Sequence, residues 1–210
     1  MSHVALTASS PAIGWYGKLP VAGDFVTRRL DGIFVGLWDE WLSAGLDHLR
    51  AHNEAGWQSG YLNSPTWCFL LTPGFLPAPL DRQVWVGVVM PSVDRVGRYY
   101  PLTLAYPLAE IPMTADARSA MWSWLRRLED AAVYALQQDW PIDTFDAELQ
   151  HIGLAQSQGC PTVALPASID AFFSTAEVPG RCVWYCDADL NGPDLFFSSA
   201  RDPSVARLWK

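Results

Sequence analysis

Three short apolar runs in the first half of the chain constrain its fold most strongly. They are Thr66–Thr72, Val84–Met90 and Leu102–Tyr106, and each contains few polar side chains. Near-continuous apolarity over this length is typical of strands that are buried on both faces. We therefore predict that the three runs form the centre of a sheet that is covered on both sides.

Two longer segments have helical periodicity. From Asp31 to about Asn53 the apolar residues fall on one helical face, and Gly56 marks its end. A second helix is predicted from the N-cap residue Thr114 to about Asp139, with Pro141 stopping it. Its predicted inner face consists of Met121, Trp124, Leu125, Leu128, Ala132, Ala135 and Leu136.

Weaker signals complete the predicted architecture. A first strand is expected at 13–19, short helices at 145–151 and 168–174, and further strands at 162–165, 181–186 and 195–198. Since no repeat or linker interrupts the chain, we predict a flexible N-terminus over residues 1–12 and one domain over 13–210. The expected class is α+β, with a largely antiparallel sheet of about five to six strands flanked by two long helices.

Charge and composition exclude several classes of function. The net charge is −8, which disfavours binding to nucleic acid or to an anionic membrane surface. No apolar stretch approaches the roughly 18 residues of a membrane helix, and the first residues lack signal-peptide features, so we expect a cytoplasmic protein without membrane insertion. The chain has 11 tryptophans, whose rings favour core edges and protein interfaces.

The acidic residues are unevenly distributed. Residues 127–190 hold two basic and ten acidic side chains. Either this stretch forms a solvated acidic face or it meets a basic partner. Both interpretations remain open at this point.

The sequence carries none of the usual catalytic or metal-binding motifs. Gly14–Lys18 lacks the spacing of a P-loop, and there is no dinucleotide fingerprint or nucleophile elbow. His48 and His52 are one helical turn apart, but a solvated helix edge explains them better than a metal site. The four cysteines have no zinc spacing, and Cys182 and Cys186 alternate as in a buried strand face. We therefore expect no catalytic residues, no metal and no cofactor.

The connection between the second and third apolar runs is the strongest candidate site. If these runs form a hairpin, the loop Pro91–Pro101 is about twice the usual length. Asp94 could cap this loop or pair with Arg98, and an arginine left over would offer a planar fork to a carboxylate or phosphate. Alternatively, Asp94 and both arginines only hold the loop together. Lys18 and Asp24 form a similar polar pair around an earlier turn.

Four segments resemble the signatures of one bacterial family. The first is Gly14–Val26, which contains Gly-Lys-Leu-Pro and Gly-Asp-Phe, and the tryptophan-rich helix Phe34–Leu46 follows it. The next two are Asn63–Phe69 and Met90–Leu102. In order and spacing they resemble the TagF (ImpM) family, which is associated with type VI secretion. The resemblance covers roughly residues 13–106.

The resemblance implies a regulator and not an enzyme. Members of this family are cytoplasmic post-translational repressors of type VI secretion that act through the forkhead-associated scaffold protein of the system. We expect the chain to bind this scaffold and to prevent assembly of the apparatus. The alternative is a small phosphate-binding sensor or hydrolase that uses Asp94, Arg95 and Arg98. The predicted partner-binding residues come from the residue-level reasoning and are Trp15, Lys18, Asp24, Asp94, Arg95 and Arg98.

Overall fold

A seven-stranded antiparallel sheet organises the chain. The computed structural model describes residues 12–152, 167–174, 178–188, 192–198 and 207–209. The strands, numbered in chain order, are β1 (Gly14–Gly17), β2 (Val26–Arg28), β3 (Trp67–Leu71), β4 (Val84–Met90), β5 (Leu102–Leu108), β6 (Cys182–Ala188) and β7 (Gly192–Ser198). Their order across the sheet is β2-β1-β5-β4-β3-β6-β7. The predicted α+β class is confirmed.

The three apolar runs occupy the middle of this sheet, as predicted. Strand β4 is the central strand and pairs with β3 on one side and β5 on the other. Along β4, Val86 and Val88 belong to one hydrophobic cluster, whereas Trp85 and Val89 belong to another. Because successive side chains of a strand point to opposite faces, the two clusters are the two sides of the sheet.

Helix α1 (Gly32–His52) covers one side, together with the short helix α2 (Trp57–Leu62). Asp31 caps α1 by accepting a hydrogen bond from the backbone N–H of Ile33, so the predicted start of this helix is confirmed. Leu208 and Trp209, close to the end of the chain, are fully buried on the same side.

Helix α3 (Ala115–Gln137) covers the other side, with α4 (Ile142–His151) and α5 (Ala167–Ser174) beside it. Its N-cap is Thr114, as predicted, and the side-chain oxygen accepts from the N–H of Ala117 at 3.2 Å. The predicted inner face of α3 is buried except for Leu136, which is partly buried against the same cluster.

The sheet has more strands than the five to six predicted from the sequence. Strand β2 has three residues, too short for a recognisable alternation, and it was not predicted. Helix α2 was also missed because its six residues are too few to show a helical period. Residues 1–11 of the predicted flexible N-terminus 1–12, and the predicted strand at 162–165, lie outside the described residues. Within the described ranges, no helix is both long and apolar enough to cross a membrane.

Candidate functional site

The sheet brings two connections together at one of its ends. Strand β1 ends at Gly17, and the chain then turns back to β2 through residues 18–25. Strands β4 and β5 form the predicted hairpin, and their last paired residues, Met90 and Leu102, leave the loop 91–101 between them. Because β1 pairs antiparallel with β5, the end of β1 lies beside the start of β5. The two connections are therefore neighbours.

The loop 91–101 is closed by its own backbone. An isolated bridge joins Val93 to Tyr99, and the N–H of Asp94 donates to the carbonyl of Arg98 at 3.1 Å. At the tip, the N–H of Gly97 donates to the carbonyl of Asp94 at 2.9 Å, and Gly97 has a φ of +83°. Since glycine adopts this left-handed conformation without steric cost, it fits the tip of a tight turn.

The carboxylate of Asp94 holds this turn and the neighbouring connection together. One oxygen accepts from the backbone N–H groups of Val96 and Arg98, at 3.1 and 2.9 Å. The other accepts from Lys18 Nζ at 2.5 Å and from Arg98 Nε at 2.7 Å. Burial by itself raises the pKa of the Asp94 carboxyl, but these hydrogen bonds outweigh it and hold the pKa well below its usual range. Both functions considered for Asp94, capping the loop and pairing with Arg98, are therefore present.

Lys18 pairs with Asp94 and not with Asp24, the residue it was grouped with in the sequence. Its side chain is only 4% exposed, and the ammonium lies 4.6 Å from the centre of the Phe25 ring. The carbonyl of Lys18 accepts from Ser92 Oγ at 2.6 Å. Lys18 and Asp94 are thus an internal ion pair under Phe25, and neither presents its charge to solvent.

Ser92 and Tyr61 support this pair, and of these two residues the sequence reasoning missed Tyr61. Tyr61 Oη donates to the carbonyl of Ser92 at 3.0 Å and accepts from the N–H of Ser92 at 2.9 Å. Both residues are buried. Ser92 was part of the loop considered, but Tyr61 lies on a helix that is distant in sequence, and no local pattern connects them.

The two arginines of the loop have different environments. Arg98 Nη2 donates to the carbonyl of Gly23 at 2.5 Å and lies 3.6 Å from the carboxylate of Asp24. Arg95 is tied by its backbone, whose N–H donates to the carbonyl of Ala22 at 2.9 Å. Among the described residues, no acidic group lies within ion-pair distance of the Arg95 guanidinium.

We call the exposed part of this region the turn surface. Its members are the exposed residues other than glycine on the tips of the two connections: Asp24, Phe25, Arg95, Val96 and Arg98. Phe25 is 43% exposed and Val96 is 65% exposed. The turn surface therefore combines arginine side chains with exposed apolar groups over a buried ion pair.

Comparison with known proteins identifies the family. The profile of the TagF N-terminal domain, described as type VI secretion system-associated, matches residues 14–152. The chain belongs to the TagF family. A solved structure, that of PA0076 from Pseudomonas aeruginosa PAO1, is 28% identical and superposes with a TM-score of 0.72. That alignment covers 95% of this chain and 94% of PA0076. No curated protein sequence matches this chain significantly.

The TagF match extends beyond the residues 13–106 on which the resemblance depended, and it includes α3 and α4.

Trp15 connects the two ends of the matched segment. Its indole N–H donates to Asp146 Oδ1 of α4 at 2.8 Å, and its ring packs on Phe145. Trp15 is fully buried on the α3 side of the sheet. Of the six predicted partner-binding residues of this TagF-family chain, the structure brings five together and places Trp15 elsewhere.

Asp146 is itself part of a second ion pair. Arg29 donates to both carboxylate oxygens of Asp146, at 2.8 and 2.6 Å, and Gln150 donates to one of them at 2.8 Å. These hydrogen bonds, that of Arg29 above all, lower the pKa of Asp146 to about 2. Arg29 holds this position with a φ of +56°. The cluster joins the edge of the TagF sheet to α4.

The histidine pair singled out in the sequence lies on α1, and Cys182 and Cys186 lie on β6. His48 and His52 stack on the exposed side of α1, and His52 Nδ1 lies 2.8 Å from the carbonyl of His48. Across the described ranges, no three histidine, cysteine or acidic side chains are grouped so that they could hold a metal ion. Cys182 and Cys186 are buried in the α1-side cluster, which confirms the face predicted for them. Burial raises the pKa of the Cys182 thiol.

Proposed function

We propose that this TagF-family chain is a cytoplasmic, post-translational repressor of type VI secretion. In this proposal it binds the forkhead-associated scaffold protein of the system and so prevents assembly of the apparatus. Membership of a family associated with type VI secretion supports the first part. The observation that carries the second part is the turn surface, where exposed arginine and apolar side chains are fixed by the buried Lys18–Asp94 pair.

A fixed surface favours protein binding because little conformational freedom is lost when a partner docks. The Asp94 carboxylate makes four hydrogen bonds and one turn of the loop is closed by backbone bonds. Lys18 and Asp94 therefore act as positioning residues under the surface. The exposed groups that a partner can touch are Asp24, Phe25, Arg95, Val96 and Arg98.

Repression by this route requires a difference in affinity. The chain must bind the free scaffold more tightly than the scaffold within the assembled apparatus, since equal affinity for both states would shift nothing. Sequestration then lowers the concentration of scaffold that can support assembly.

We also propose that the chain acts without catalysis of its own. The chemistry of the candidate site supports this proposal. The lowered pKa of Asp94 makes its carboxylate a poor base near neutral pH. Phosphate, nucleotides and divalent metals should leave the melting temperature unchanged, whereas a rise with any of them would favour the phosphate-binding alternative.

The test of repression uses a bacterium whose type VI system is active and which encodes this chain. Overproduction should abolish release of a type VI substrate into the medium, and deletion should increase it. Cellular levels of that substrate should not change, because the proposed effect follows translation. The scaffold should co-purify with the tagged chain. Unchanged release after both manipulations would refute the proposed function.

A further inference from the structure

We infer that the turn surface binds a single carboxylate side chain of an acidic partner segment, with an apolar side chain of the same segment lying beside it. This inference rests on the proposed function, because it names the chemistry that the scaffold would present. The charges of the turn surface and its exposed apolar side chains support it.

The charged groups at the turn surface leave one positive charge without a counter-charge. Two cations, Lys18 and Arg98, face two carboxylates, Asp94 and Asp24, at distances from 2.5 to 3.6 Å. These four groups compensate one another. Arg95 adds one positive charge, and none of the ion pairs among the described residues involves it. The surface therefore has one uncompensated cation in a chain of net charge −8.

The guanidinium of Arg95 lies over the connection between β1 and β2. A Cβ built on Gly23 would lie 3.4 Å from Arg95 Nη2, so the guanidinium rests over the Gly23 backbone. The backbone hydrogen bond from Arg95 to Ala22 fixes the base of the side chain on the same connection. A planar fork held in this way suits the two oxygens of one carboxylate.

The charges around Arg95 favour a carboxylate over a phosphate as the ligand. Phosphate recognition in proteins uses clusters of arginines, because the ligand carries nearly two negative charges. At the turn surface the second arginine is already bonded to Asp94 and lies 3.6 Å from Asp24. A phosphate would meet one free cation and one nearby carboxylate. A carboxylate balances the single charge of Arg95.

The apolar part of the ligand follows from the neighbours of Arg95. Val96 is 65% exposed at the tip of the turn. Phe25 is 43% exposed, and the buried face of its ring stacks on Tyr16, 5.4 Å away. Both offer apolar area beside the guanidinium, so an apolar side chain next to the acidic one would be buried on docking.

The test measures the affinity of the purified chain for the forkhead-associated scaffold. Arg95→Glu should weaken binding by roughly tenfold to a hundredfold, because it removes a charge-assisted hydrogen bond and adds like-charge repulsion. Val96→Ser should weaken binding by about threefold to tenfold. The matched control is Arg82→Glu, an exposed arginine two residues before β4, at the opposite end of that strand from the loop. All three positions are exposed, and unchanged melting temperatures would confirm that the variants fold.

The outcomes distinguish this inference from the proposed function. Loss of affinity for Arg95→Glu but not for Arg82→Glu supports the inference, provided that phosphatase treatment of the scaffold leaves binding intact. Equal affinity of both variants and the unmodified chain overturns the inference and leaves repression standing. Loss of binding after phosphatase treatment also overturns it, because phosphate would then be the ligand.

If the unmodified chain does not bind the scaffold, the proposed function fails and a second probe decides the inference. The probe is a synthetic peptide of alternating glutamate and leucine, compared with a copy that has glutamine in place of glutamate. In NMR titrations, shifts of the Arg95 and Val96 amides with the glutamate peptide alone would support the carboxylate site. Shifts with both peptides, or with neither, would overturn it.

Discussion

Replacing Trp209 by alanine should destabilise the protein severely, although this residue is next to the end of the chain. Its side chain is fully buried, and the ring lies 5.2 Å from that of Tyr61. Burying a tryptophan removes up to about 250 Å² from water, which at about 25 cal/mol/Å² gives ~6 kcal/mol as an upper bound. Substitutions of this kind cost about 3–5 kcal/mol when a cavity remains.

Urea unfolding followed by circular dichroism would measure this loss. With a slope of about 2 kcal/mol/M, the midpoint should fall by roughly 1.5–2.5 M. The indole N–H of Trp209 has no hydrogen-bond partner among the described residues. Trp209→Phe should therefore cost less than Trp209→Ala, since only ring size is lost. The control is Met113→Ala, at a side chain that is 63% exposed, with an expected change within about 0.5 kcal/mol. A loss below about 1 kcal/mol for Trp209→Ala, as expected for a frayed terminus, would refute the reasoning.

Three further predictions concern charge and space. Because the pKa of Asp146 is lowered to about 2, its ionised form stabilises the fold above pH ~4, by an amount on the order of 2 kcal/mol, and this stability is lost as the pH falls toward 2. The difference in unfolding free energy between the unmodified chain and Asp146→Asn should shrink as the pH falls over this range. A difference that does not change with pH would contradict the role given to the ionised carboxylate. Asp94→Asn leaves the buried ammonium of Lys18 without a counter-charge and should lower the melting temperature. Asp24→Asn, at a side chain 78% exposed, should leave it unchanged. Equal melting temperatures for the two variants would argue against the buried pair. Gly87→Ala would place a Cβ 2.0 Å from the carbonyl oxygen of Leu104, so its melting temperature and soluble yield should fall sharply, and a normal yield with an unchanged melting temperature would exclude this close approach.

The central architecture was predictable because it depends on local periodicity and on capping. Apolar runs gave β3, β4 and β5 nearly to the residue, and helical periodicity with Thr114 as the N-cap gave α3. Elements shorter than one or two periods left no such signal, which is why β2 and α2 were missed. The ring of Trp209 packs on Tyr61, and the carbonyl of the adjacent Leu208 accepts from the indole N–H of Trp67. Both partners are more than a hundred residues away in the sequence.

The contacts of the candidate site were less predictable than its location. The sequence singled out polar residues of the connections 18–25 and 91–101, and these lie together because antiparallel pairing places both connections at the same end of the sheet. The pairing inside the site was different, since Lys18 bonds to Asp94 across 76 residues and not to nearby Asp24. Which of several carboxylates a lysine reaches depends on the register of β1 against β5.

Trp15 illustrates how alternation along a strand decides which side chains can share a site. Trp15 and Tyr16 are adjacent in β1, so their side chains must point to opposite faces of the sheet. Tyr16 stacks on Phe25 beside the turn surface, whereas Trp15 packs against α4 on the far side. The charged residues of the site also divide into those that support the turn surface and those that can bind a partner. A group whose hydrogen bonds are all made inside the protein, such as Asp94, has none left for a partner. Recognition then falls to a side chain such as Arg95, which forms no ion pair with any described residue.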